Sequence, residues 1–114
     1  MDFFIHAKGL HVSSDTRETV NDRLDVALHR FSDEVAKVHT TLENVNGPKG
    51  GRDKRCVLNV TLTHHGAPLV CSARHMQLEG AVSQAARRLT RMLAARSDKF
   101  VARQHAPQVS ALAD

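Results

Sequence analysis

Aromatic side chains are scarce in this chain, with four phenylalanines, no tryptophan and no tyrosine among 114 residues. A module that stacks unpaired bases needs an aromatic platform. Binding to nucleic acid, if it occurs, is therefore expected to rest on phosphate contacts and shape. Cysteine is nearly absent too, and two residues allow at most one disulfide. No apolar run approaches the roughly 18 residues of a membrane span. The opening stretch MDFFIHAKGL has an acidic second position and no sustained apolar segment, so it does not read as a secretion signal and cytoplasm is the expected compartment. C-x-x-C, H-E-x-x-H and other paired-ligand spacings are missing. His64, His65, His75, Cys56 and Cys71 consequently make no case for catalysis or a metal, and no catalytic residue or cofactor is expected.

What is present is one domain's worth of chain with a moderate basic excess, 16 Lys plus Arg against 12 Asp plus Glu. That balance suggests an acidic partner. The dominant pattern lies in Leu78 to Arg96, where Leu78, Val82, Ala85, Leu89 and Leu93 recur at helical spacing and form a stripe that must be buried. At about 100° per residue, Arg87 and Arg91 project nearly opposite that stripe and Arg88 lies on its flank.

A second helical stripe precedes it in the chain, formed by Val20, Leu24, Ala27, Leu28 and Phe31. Ser13, Ser14 and Asp15 offer its cap, with Asp15 and Glu18 at capping-box spacing. Arg23 and Arg30 share one flank of this helix, two turns apart. Strands are expected at Phe3 to Lys8, Val35 to Val45, Cys56 to His64 and Pro68 to Arg74, each alternating apolar with polar positions. Placing His65 and Gly66 at the centre of a two-residue turn pairs Val60 with Cys71, Leu58 with Ala73 and Cys56 with His75. Cys56, Leu58, Val60, Leu62, Leu69, Cys71 and Ala73 then share one face, and the two thiols lie too far out of register for a disulfide. Between the second and third strands, Asn46 to Arg55 holds three glycines, a proline and the cations Lys49, Arg52, Lys54 and Arg55. It does not match a phosphate-binding G-x-x-x-x-G-K-[ST] loop.

These elements close into a two-layer α/β (α+β) sandwich in the order β-α-β-β-β-α, a four-stranded sheet with two helices packed on one face. After Asp98 the helical period fades and Pro107 is expected to end the second helix. Residues 1–98 are thus expected to form a single binding domain, and 99–114 a partly disordered extension.

The run Cys71-Ser72-Ala73-Arg74-His75, followed by Leu78-Glu79-Gly80-Ala81-Val82 and Arg88-Leu89-Thr90-Arg91-Met92-Leu93, resembles the last strand and second helix of the ribosome hibernation promoting factor and ribosome-associated inhibitor family. Members of that family typically read A-x-A-x-x-x-D-M-Y-A-A-I-D and then K-L-x-R-Q-L. The resemblance covers roughly residues 3 to 97, and the loop from Asn46 to Cys56 is similar to one carried by a bacterial subgroup. It implies a factor that binds the small ribosomal subunit through ribosomal RNA during stress or stationary phase, using basic residues of both helices and loops to block translation without chemistry. Arg88 and Arg91 match the basic positions of K-L-x-R, whereas Leu78-Glu79 replace M-Y, and Ala94 and Ala95 stand where relatives often keep Lys or Arg. The candidate RNA-binding set is Arg23, Arg30, Lys49, Arg52, Lys54, Arg55, Arg87, Arg88 and Arg91. The alternatives are a general RNA-binding domain without ribosome specificity and a weakly homodimeric interaction module that pairs through the open sheet side, including Val57 and Val70.

Overall fold

β1 (Asp2–Lys8) turns Phe3, Ile5 and Ala7 inward and Asp2, Phe4, His6 and Lys8 outward. Gly9 follows with φ +71°, a left-handed conformation that lets the chain leave the strand beside Asn44. The computed structural model describes residues 1–45, 53–64 and 66–111, with side chains described to residue 96. Lys49, Arg52 and His65 lie outside the described residues.

α1 (Ser14–Leu28) is capped by Ser13, whose hydroxyl accepts the Thr16 N–H at 3.2 Å. Asp15 therefore sits in the first turn, where its charge complements the helix dipole, and the expected Asp15–Glu18 box gives way to a cap two residues earlier. Val20, Leu24 and Leu28 are buried, and a tighter 3-10 turn at His29–Phe31 carries Phe31 into the same core.

β2 (Val35–Asn44) lies parallel to β1, and α1 makes the crossover between them. Its pairing with β3 (Lys54–Leu62) shifts between Val35 and Lys37, leaving Ala36 as the extra residue of a bulge. The bulge explains why Val35 and Val38, three apart, are both buried, since strict alternation would put them on opposite faces. β3 runs antiparallel to β4 (Leu69–His75), completing a mixed sheet of order β1-β2-β3-β4.

The β3–β4 register is Cys56 with Ala73, Leu58 with Cys71 and Val60 with Leu69. It differs by two residues from the pairing expected of a two-residue turn, because β3 ends at Leu62 and β4 begins only at Leu69. A slip of two keeps every side chain on its own face, so the core composition is unaffected. The thiols are affected, because Cys71 now lies diagonal to Cys56 on the core face. Both are free; burial pushes Cys56 up to about 12 and also raises Cys71, whose Sγ donates to the Ala85 carbonyl at 3.4 Å.

α2 (Leu78–Ala111) lies over β3 and β4 and also touches α1. Ala81, Val82, Ala85, Ala86, Leu89 and Leu93 join Val20, Leu24 and Leu28 of α1 and Val38, Leu42, Cys56, Leu58, Val60 and Ala73 of the sheet in one core. Both helices therefore cover the same side of the sheet. At the start of α2 the His75 Nδ1 accepts the Gln77 N–H at 3.0 Å, and Gly80 makes room for the imidazole, since a Cβ there would run into the ring. The helix does not end near Asp98 but continues through Pro107 to Ala111. A single proline removes one backbone bond and kinks a helix more readily than it stops one when helix formers flank it, as Ala102, Arg103, Gln104 and Ala106 do.

Candidate nucleic-acid interface

The outer surfaces of α1 and α2 meet along a groove of about 810 Å³ whose apolar lining includes Val26, Ala27, Val82 and Ala86. Val26 is 79% exposed there. Arg23 and Arg30 rise on the α1 side, Arg87 and Arg91 on the α2 side, and Asp22 is the one carboxylate among the described lining residues. A second, polar hollow of about 330 Å³ lies across the α2 ridge between Gln84, Arg87, Arg88 and Arg91. Arg87 and Arg91, one turn apart and about 6 Å along the axis, thus border both depressions.

The arginines are not equivalent. The Arg87 and Arg91 side chains are exposed, and no hydrogen bond or ion pair engages either among the described residues. Arg88 donates to the Ser72 carbonyl, a neutral acceptor that anchors the side chain against β4 without cancelling its charge. Arg30 lies over the Phe31 ring at 4.6 Å, a cation–π contact that holds the guanidinium at the groove edge. Arg23 reaches across to α2, donating to Ser83 Oγ at 3.1 Å and to Glu79 Oε2 at 3.4 Å. It is first a tie between the helices, and its charge is partly offset by Glu79.

The remaining described candidates stand apart from this group. Lys54 pairs with the nearly buried Asp53 at 2.9 Å, and this bond holds the Asp53 carboxyl below its usual range. Arg55 pairs with Glu43 on the open face of the sheet. The nine candidates therefore do not converge on a single site: five share the helix layer, two lie at the end of the β2–β3 ladder, and Lys49 and Arg52 lie outside the described residues.

Sequence reasoning missed one constellation, on the opposite face. Phe4 stacks on His39 with ring centroids 4.8 Å apart and planes 15° from parallel, and His6 lies parallel to His39 within 1° at 6.4 Å. The available signal was the outward parity of Phe4, His6 and His39 in their strands. Which strands became neighbours was not available. Among the described residues no cluster of His, Cys, Asp and Glu is placed to hold a metal, and no helix is long and apolar enough to cross a membrane.

The architecture defines a two-layer α+β domain with a basic helical surface. A sequence model of the family described as sigma 54 modulation protein / S30EA ribosomal protein matches residues 3–100, and the chain belongs to this family of ribosome-associated, non-enzymatic factors. Among solved structures, the chain is similar to a ribosomal subunit interface protein from Coxiella burnetii, at 20% identity and a TM-score of 0.69, covering 86% of this chain and 99% of that one. It is likewise similar to the N-terminal domain of Protein Y from Thermus thermophilus, at 19% identity and a TM-score of 0.65, covering 81% of this chain and 94% of that one. These likenesses show the shared fold. No curated protein matches the chain.

Proposed function

We propose that this protein binds the small ribosomal subunit in the cytoplasm through ribosomal RNA, with Arg87, Arg88 and Arg91 gripping phosphates and Arg23 and Arg30 supplying the opposite rim of the groove. Occupancy inhibits translation under stress or in stationary phase, and no bond is made or broken. The observation that carries this reading is the pair Arg87 and Arg91, two exposed cations with no partner among the described residues. Cations held out in this way suit a polyanion, because binding releases counterions and breaks no existing ion pair. Family membership supports the ribosome as the source of that polyanion. Lys54 and Arg55 extend the contact from the end of the β2–β3 ladder, with charge partly spent on Asp53 and Glu43, and Lys49 and Arg52, outside the described residues, complete the proposed set. Residues 1–98 carry the binding function.

The test is co-sedimentation with separated small and large subunits, paired with translation of a reporter message in a purified system. Pelleting with small subunits and a fall in reporter yield are expected. Equal pelleting with a double-stranded RNA of unrelated sequence would replace ribosome specificity with general RNA binding.

A further inference from the structure

The open face of the sheet is ordered in rows by the strand register. One row runs Phe4, His39, Asn59, Val70; the next runs His6, Thr41, Val57, Ser72; and the one after runs Lys8, Glu43, Arg55, Arg74. Successive rows on one face are about 7 Å apart. The first two rows hold the three parallel rings, with Phe4 42% exposed, together with an amide and hydroxyls from Asn59, Thr41 and Ser72. The third row is a basic rail, three cations around one carboxylate, and Glu43 already accepts contacts from both Lys8 and Arg55.

We propose that this face is a second nucleic-acid site, on which an unpaired nucleotide of a single-stranded RNA segment stacks its base on the Phe4–His39–His6 rings and sets its phosphate on the Lys8–Arg55–Arg74 rail. The rings are already parallel, so a flat base extends the set without rearranging it. One row's spacing separates the nearest ring, His6, from the rail, which is the order of the distance between a base and its own phosphate. Asn59 and the hydroxyls stand within the ring rows, where base edges need hydrogen-bond partners. A second copy of this chain is a poorer occupant. The described cations of the face, Lys8, Lys37, Arg55 and Arg74, outnumber its acids, Asp2 and Glu43, so two such faces repel. Its apolar residues Phe4, Val57 and Val70 are interrupted by His39, Asn59 and Thr41, and no continuous apolar patch is available to a dimer. The site faces away from the helix-layer groove and stands independently of it.

The probe is a single-stranded RNA octamer carrying one 2-aminopurine, whose fluorescence is quenched on stacking, titrated at low salt into the full chain. Binding with quenching is expected. Phe4→Leu keeps an apolar side chain and removes the ring, and is expected to weaken octamer binding roughly 5- to 100-fold with loss of the quench. His39→Ala tests the same stack from the neighbouring strand should Phe4→Leu fail to fold. A quench that Arg87→Ala with Arg91→Ala abolishes and Phe4→Leu keeps would put the stacked base on the helix layer and overturns the proposal. Absence of quenching in the unmodified protein, or an unchanged affinity and quench in both sheet variants, overturns the proposal. A concentration-dependent dimer in sedimentation that Phe4→Leu dissociates, without effect on the octamer, overturns it in favour of a second copy.

Discussion

Replacing Arg87 and Arg91 together with alanine removes the two helix-layer cations that have no structural duty. Both are exposed and unengaged among the described residues, so their loss breaks no contact between α1, α2 and the sheet. Native stability is expected to move by less than about 0.5 kcal/mol. Binding should respond strongly. Each phosphate neutralised adds roughly −0.7 to −0.9 to the slope of log affinity against log salt, so the five arginines of the helix layer give about −3.5 to −4.5. Raising salt from about 50 to 200 mM then weakens wild-type binding roughly 100- to 500-fold, and the double variant should flatten the slope by about 1.4 to 1.8. Arg23→Ala provides the contrast. It cuts the tie to Ser83 and Glu79, an exposed interaction worth about 0–1 kcal/mol, so it should lower stability by no more than that while changing the salt slope by one contact at most. The assay is small-subunit pelleting over a salt series with thermal melts of the same proteins. A slope unchanged in the double variant, or a loss of stability matching the loss of binding, would refute the reasoning.

Other consequences concern the scaffold. Thr40 is fully buried and its hydroxyl has no hydrogen-bond partner among the described residues, so Thr40→Val, nearly the same shape, should stabilise the fold by about 1 kcal/mol in chemical denaturation. Gly80→Ala should destabilise by about 1–2 kcal/mol, because the new methyl displaces the His75 ring and breaks its bond to the Gln77 N–H, outweighing the better helix propensity of alanine; a neutral or raised melting temperature would contradict this. Cys56 is held neutral up to about 12, above the ordinary 9.0 of an exposed thiol. A group raised in the folded state contributes stability that is complete below its unfolded value and lost as pH climbs towards the folded one. Stability should therefore fall between pH 9 and 12, and Cys56→Ala should flatten that part of the profile; an equally steep decline in the variant would contradict the assignment.

Much of this molecule was determined locally. Hydrophobic period names an element and its buried face with no knowledge of neighbours, so the stripes Val20–Leu24–Leu28 and Val82–Ala85–Leu89–Leu93, and the inward parity of Cys56, Leu58 and Val60, were legible in the sequence. The outward throw of Arg87 and Arg91 follows from the same period. Tertiary structure decided whatever depends on which distant residues meet. Strand parity is blind to a slip of two, so only the folded β3–β4 pair set Cys71 beside Leu58 and diagonal to Cys56. The bulge at Ala36 is likewise a property of the β2–β3 pair and not of either strand alone. A helical projection sets Arg23 on the flank of its stripe and Arg87 nearly opposite its own, and it shows a partner for neither. They differ because α1 packs against α2 with Glu79 and Ser83 within reach of the first, while nothing described meets the second. The Phe4–His39–His6 stack joins two strands more than thirty positions apart, brought side by side by the α1 crossover, and it supplies aromatic surface that a count of four phenylalanines did not promise.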